Sequence, residues 1–375
     1  MIYLDNAATT RPDPSVIQAM MPYLTEQFAN PSAFYQEAVR VRMQIDLARQ
    51  HAADLLGAAP GNIYFTAGGT EADNWALRAG AEMMREKGRH IITSSVEHPA
   101  VRNTARYLAS CGYEVTFLPV DGRGRVDPDE VRAAIRPDTV LISVMHANNE
   151  LGTIEPVREI GMAAREAGVL FHTDAVQTFG HIPIDPEECG ISFLSASAHK
   201  LNGPKGVGLL YVAPGLRPGR LLYGGSQERS LRPGTENPAA IIGFGEAARL
   251  AALRMDEDAA RIRTLRQDFI MELKSQIPGI RINGDEEQSL PGIVSVTFPS
   301  VSSETLLIRL DQHGICASAG SACSAGAIEP SPVLTACGMS EEQAKRTLRL
   351  SLGRENTAEE LKETVRVLRA VLSES

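Results

Sequence analysis

From about residue 60 to residue 211, short runs rich in β-branched and aromatic residues alternate with longer stretches of helical periodicity. The runs fall at 62–66, 90–93, 139–144, 169–172, 191–194 and 207–212 and read as buried strands. Such alternation predicts an α/β fold, a mostly parallel sheet with helices supplying the crossovers on both faces. An earlier helix is predicted over 36–56, where Val41, Ile45, Ala48, Ala52 and Leu55 recur at steps of three and four and Gly57 supplies the stop. After a Gly- and Pro-rich segment at 224–238 comes a long helical stretch over 238–276, read as the bridge out of the large domain. A strand at 292–298, a helix at 304–312, a strand at 347–352 and a last helix over 357–372 then suffice for a small α+β domain. The expected division is a large domain over 12–255 and a small one formed by 1–11 with 256–375.

Composition changes this picture little. With 375 residues the chain is long enough for about two domains. Its 43% hydrophobic and 22% charged residues fit an ordinary globular protein, and its apolar runs are too short to cross a bilayer. The first ten residues lack a basic start followed by an apolar stretch, so a cytoplasmic location is the default expectation. A formal net charge of −9 offers no footprint for direct binding of nucleic acid. Five cysteines, odd in number and without a C-x-x-C pair, argue for reduced thiols and against an intrinsic metal site.

The chemistry collects where ligands bind a parallel sheet, outside the carboxyl ends of its strands. After the first run comes Ala67-Gly68-Gly69-Thr70-Glu71-Ala72-Asp73-Asn74, whose glycines permit a tight turn and whose Thr70 opens a helix with amides suited to a phosphate. Glu97-His98-Pro99 follows the second run and His146-Ala147-Asn148-Asn149-Glu150 the third. His172-Thr173-Asp174-Ala175-Val176-Gln177 and Ser197-Ala198-His199-Lys200 close the fourth and fifth. A metal shared by His172 and Asp174 is set aside on the reading that the two point to opposite faces of their strand. The set suits pyridoxal phosphate, which needs a lysine for its Schiff base and a carboxylate to keep its ring nitrogen protonated. Lys200 and Asp174 fill those roles, Thr70 with Ser197 or His199 serves the phosphate, Gln177 or Asn149 the ring hydroxyl, and His98 stacks on the ring. A second feature is the run of small residues over 317–327 with Cys323 inside it, which cannot fill a core well.

Taken together, the chain resembles the cysteine desulfurases that serve nitrogenase and iron–sulfur cluster assembly. The resemblance runs nearly end to end, through Tyr3-Leu-Asp-Asn-Ala-Ala-Thr-Thr10, Asn30-Pro31-Ser32, Gly68-Gly69-Thr70-Glu71, Glu97-His98-Pro99, Asn148-Asn149-Glu150-Leu151-Gly152, His172 to Gln177, Ser197 to Lys200, Arg232-Pro-Gly-Thr-Glu-Asn237, Ser321-Ala322-Cys323-Ser324 and Arg349-Leu-Ser-Leu-Gly353.

What the resemblance implies is a fold type I pyridoxal phosphate enzyme, a homodimer with a mostly parallel seven-stranded sheet in its large, cofactor-binding domain. Residue by residue, it implies that Lys200 holds the cofactor, that His98 stacks on its ring, and that Asp174 and Gln177 meet its nitrogen and hydroxyl. Gly69, Thr70, Ser197 and His199 would hold the phosphate, Asn149 would lie near ring and substrate, and Thr235 would reach the partner subunit's phosphate. Arg349 matches the arginine that clamps the substrate carboxylate, a role suited to its planar fork of donors. Cys323, on a small-domain loop at about 316–328, matches the nucleophile: its thiolate would take sulfur from L-cysteine, leaving L-alanine and a persulfide.

That sulfur would pass to an iron–sulfur scaffold or a tRNA- or cofactor-thiolating enzyme, with Cys323 transiently ligating a cluster in the first case. The chain departs from the family pattern at Ala67, where Ser is common, and at Ala29-Asn30-Pro31-Ser32-Ala33-Phe34-Tyr35, where a His is usual. Selenocysteine lyase, another lyase or transaminase of this fold, and a non-catalytic scaffold are the alternatives.

Overall fold

The computed structural model describes residues 1–320 and 330–373. Strand β1 (Ile2–Tyr3) leads into helices α1 (Pro14–Thr25) and α2 (Gln36–Asp54). The alternating region follows as β2 (Ile63–Thr66), α3 (Gly69–Met83), β3 (His90–Ser94), α4 (Pro99–Ser110), β4 (Glu114–Leu118), α5 (Pro128–Ala134), β5 (Thr139–Ser143), α6 (Val157–Glu166), β6 (Leu170–Asp174), β7 (Phe193–Ser197) and β8 (Gly208–Val212). Its strands form one seven-stranded sheet in the order β2-β8-β7-β6-β5-β3-β4. Only β8 among them runs against the rest, because it pairs antiparallel with both β7 and β2. The carboxyl ends of β2, β3, β5, β6 and β7 therefore share one edge, as the sequence reading requires.

Period-two alternation puts the two faces of this sheet into different cores. Ile63, Phe65, Leu194, Leu209 and Tyr211 join the core beneath α2, whereas Tyr64, Phe193, Leu210 and Val212 pack with Ala72, Trp75 and Ala76 of α3. Both faces being covered explains why the strands carry continuous apolar runs. The exception is β4, an edge strand in which only Leu118 is fully buried and whose sequence carries no apolar run.

Helix α7 (Pro238–Gln276) is a single element of 39 residues, opened by the Asn237 side chain accepting from the Ala240 amide. Its first half gives Ala240, Ile241, Phe244, Ala247 and Leu250 to the core beneath α2. The second half gives Ile262, Phe269, Ile270 and Leu273 to a separate core. That second core is completed by β9 (Arg281–Asn283), β10 (Ile293–Thr297), α8 (Ser303–Gln312), β11 (Ile315–Cys316), β12 (Thr347–Ser351) and α11 (Ala358–Ser373), whereas α9 (Pro332–Ala336) and α10 (Glu341–Ala344) pack in a smaller cluster with Val96, Met145 and Leu151. Within it, β10 lies between β9 and β12, antiparallel to both, and β1 pairs parallel with β11, so that Leu4 joins this core from the other end of the chain. Among the described residues no helix is long and apolar enough to cross a membrane.

Candidate active site

The strand ends and the second core enclose a cavity of about 310 Å³. Every residue singled out from the sequence lines it except Thr235 and Cys323: Gly69, Thr70, His98, Asn149, Asp174, Gln177, Ser197, His199, Lys200 and Arg349. Thr235 is exposed on the segment before α7, and Cys323 lies outside the described residues.

Lys200 ends a short 3-10 turn, Ala198–Lys200, that caps β7. Two clamps hold this turn: the Thr10 hydroxyl donates to the His199 carbonyl at 2.8 Å, and the His181 Nε2 lies 2.9 Å from the Lys200 carbonyl. The Nζ of Lys200 donates to the carbonyls of Ala7 and Ala8 at 2.5 and 2.9 Å, and Gln177 Nε2 donates to the same Ala7 carbonyl at 3.0 Å. The N-terminal segment thus folds back over the lysine, a contact carried by backbone atoms and for that reason invisible in side-chain patterns.

Asp174 closes β6, 5% exposed, with its Oδ1 accepting from the Val176 amide at 2.9 Å. Burial and the neighbouring Asp73 carboxylate push its pKa up to about 6. His98 caps α4: its Nδ1 accepts from the Ala100 amide at 3.2 Å, which places the proton of the neutral ring on Nε2. Burial holds this histidine below its ordinary pKa.

The supposition that His172 and Asp174 point to opposite faces is wrong. Residues two apart in a strand share a face, and His172 Nε2 lies 3.6 Å from Asp73, the same residue that flanks Asp174. Ligand-type atoms of Asp73, His98 and Asp174, not of His172, lie within 4.8 Å of one another.

At the other end of the cavity the helix opens at Gly69, one residue before the position read from the sequence, with Gly68 at φ 156° before it. A Cβ on Gly69 would sit 2.5 Å from Val176 Cγ2, so only glycine lets α3 approach the β6 end this closely. Thr70 is exposed in the first turn, Ser197 faces both glycines, and burial with the nearby Lys200 and Lys205 charges lowers the His199 pKa to about 4. Free helix amides, a hydroxyl and a neutral imidazole make a cradle for a phosphate.

Arg349 approaches from β12, its side chain 3% exposed. Nη2 donates to Asp5 at 2.8 Å and Nη1 to the Asn149 carbonyl at 3.0 Å, while Nε has no partner. Ser318 exchanges backbone hydrogen bonds with Arg349, and Ser331 Oγ donates to the buried Glu150 at 2.5 Å. The residues on either side of 321–329 are thereby held at the cavity. Asp5, Asp73, Glu97, Arg102 and Glu150 are polar residues of this site to which the sequence reading gave no role.

A model of the aminotransferase class-V family matches residues 2–363. The chain belongs to the class-V aminotransferase family. Among its relatives, proteins named cysteine desulfurase IscS are 50% identical over 367 residues in Methanosarcina thermophila and 46% identical over 371 in Dictyoglomus turgidum. The matches cover 98% and 99% of this chain and 91% and 94% of theirs. A solved NifS-like protein superposes with a TM-score of 0.94 at 36% identity over all of both chains. SspA in complex with cysteine gives 0.84 at 38% identity, over 95% of this chain and all of its own.

Class-V aminotransferases of the cysteine desulfurase kind depend on pyridoxal phosphate. The residues present fit that cofactor. Asp73 and Glu97 each leave a carboxylate oxygen without a partner beside Asp174, a buried excess of acceptors that a protonated ring nitrogen would balance.

Proposed function

We propose that the chain is a pyridoxal phosphate-dependent cysteine desulfurase that converts L-cysteine to L-alanine and leaves the sulfur as a persulfide on Cys323. The observation that carries this reading is the convergence of Lys200, Asp174, His98 and Arg349 in one cavity, in a chain half identical to a relative named cysteine desulfurase.

When bound, the cofactor would accept the electrons of the substrate Cα–H bond into its ring. Lys200 Nζ would hold it and then carry the proton between substrate positions; the carbonyls of Ala7 and Ala8 keep that nitrogen over the cavity. Asp174 would accept the ring N–H, and His98 would lie against the ring. The cradle of Gly69, Thr70, Ser197 and His199 would take the phosphate, with Gln177 toward the ring hydroxyl. Arg349 would grip the substrate carboxylate with its remaining N–H groups, beside Asn149, leaving the substrate sulfur open to a thiolate. There the Cys323 thiolate attacks, the substrate C–S bond breaks, an S–S bond forms, and a proton completes the methyl group of alanine.

We read the acceptor as a second thiol- or cluster-bearing protein. The two cores sharing α7 support a division at about residue 255 into a cofactor-binding and a thiol-bearing domain.

Purified yellow protein supplied with L-cysteine and a thiol reductant should release alanine. Cys323→Ala should release none while still holding the cofactor. Persulfide formation surviving in Cys323→Ala would remove the nucleophile from this scheme, and consumption of alanine with a keto acid would move the chain to the transaminases.

A further inference from the structure

Helix α3 turns Ala72, Trp75, Ala76, Leu77 and Ala79 into the protein, and among them Asp73, only 1% exposed. A carboxylate on an apolar helix face needs a partner, yet its Oδ1 makes no hydrogen bond. Its nearest basic neighbour cannot supply a charge. His172 Nε2 is 3.6 Å away but is engaged with the Ser195 hydroxyl at 3.0 Å, with Nδ1 2.8 Å from Ser143, and burial lowers its pKa to about 4. What Asp73 does face is Asp174, and two carboxylates this close and this dry cannot both ionise without a cation.

We propose that Asp73 is a positioning residue that acts through Asp174: in the apoenzyme the two carboxylates share one proton, and a cationic ring nitrogen seated on Asp174 expels it. The inference rests on the cofactor reading above. With both carboxylates ionised, the ring nitrogen sits in a field of two negative charges, which holds its own proton in place. The surrounding groups are consistent with that count. From the α4 end burial lowers the His98 pKa, the positive charges of Lys200 and Arg102 lower it further, and Glu97, raised well above the ordinary carboxylate range by burial, adds no settled charge on the β3 side. Burial carries Asp73 up to about 7 against the lowering effect of a hydrogen bond from Ser195.

Pyridoxine 5′-phosphate tests this without covalent chemistry, since it has the ring nitrogen and phosphate but no aldehyde for Lys200. Its binding to the full chain stripped of cofactor is followed by calorimetry at about pH 6, a unit below the Asp73 value, in buffers of different ionisation heat. Wild type should release about one proton more per site than Asp73→Asn, and its affinity should climb up to about tenfold more per pH unit below the midpoint of the pair. Equal proton release in the two proteins overturns the proposal. An Asp174→Asn variant that binds as tightly as wild type overturns instead the assignment of the ring nitrogen to Asp174, and the proposal with it. Should Asp73→Asn fail to fold, carbon NMR of aspartate carboxyls in the wild-type apoenzyme decides. An aspartate titrating near 6 to 7 that shifts to a lower midpoint when the probe binds supports the shared proton, and its absence refutes it.

Discussion

Arg349 is tied at both terminal nitrogens before any substrate arrives. Asp5 and the Asn149 carbonyl therefore set the plane of the guanidinium, and a substrate carboxylate meets a pre-aimed fork. Arg349→Lys keeps the charge but cannot span both holders and a carboxylate together. The expected result is a rise in KM for L-cysteine of about 10- to 100-fold, the worth of one charge-assisted hydrogen bond of ~1.5–3 kcal/mol, with kcat less affected and the cofactor spectrum unchanged. Steady-state alanine release over a range of cysteine concentrations checks it; an unchanged KM would move the carboxylate elsewhere in the cavity. At this scale, Asp174 was readable because it ends an apolar strand, and Lys200 because it closes the short turn that follows one. Asp73 was not, because an aspartate on a helix looks solvent-facing until the packing of its neighbours is known, and the Ala7 and Ala8 carbonyls carry no side-chain signal at all.

The turn over 228–230 shows how an element without regular structure positions those that have it. Glu228, Arg229 and Ser230 all adopt positive φ, at 44°, 57° and 65°, a run that non-glycine residues sustain only when the surroundings hold it. The Glu228 carboxylate supplies that hold: it accepts from both terminal nitrogens of Arg49 on α2, at 2.8 and 2.7 Å, and from the Phe65 amide on β2 at 3.0 Å. With both side chains largely buried, removing one partner strands the other charge. Glu228→Ala should lose about 3–5 kcal/mol of stability, measured as a lower midpoint in urea; a loss under about 1 kcal/mol would mean that the pair is solvated. Nothing in the sequence announced this turn, since the charges that lock it come from residues some 180 positions apart. Helix α7, by contrast, was legible along its length after the Gly- and Pro-rich segment and its Pro238 start, and the strands buried on both faces were found within about three residues. The antiparallel direction of β8 could not be read, because a buried run has the same composition whichever way it points.

At the scale of the whole molecule, one continuous stretch of chain from α1 to α2 leaves Leu24, Phe28, Phe34, Tyr35 and Met43 exposed, with Phe34 at 98%, and Tyr223 is 87% exposed on the loop before α7. A single copy has nothing to bury these side chains against, and apolar side chains exposed in such number mark an interface. Thr235 gives the same indication from the chemistry: it is exposed, away from its own cavity, on a segment anchored to α3 by Arg232 pairing with Glu71 at 2.7 Å. A second copy seated on this surface would bury the aromatic residues and could bring its Thr235 to the phosphate cradle of the first. Sedimentation equilibrium should therefore return about twice the 40.4 kDa chain mass. Phe28→Asp with Phe34→Asp should dissociate the dimer, since a charge placed in an apolar contact costs far more than the contact supplied. The dissociated protein should also release pyridoxal phosphate at least about tenfold faster, the effect of losing one charge-assisted phosphate hydrogen bond. Thr235→Ala separates the two roles, weakening cofactor retention while the mass stays dimeric. A monomer that retains the cofactor as tightly as the wild type would place the whole phosphate site within one chain and leave the exposed aromatic residues to another partner.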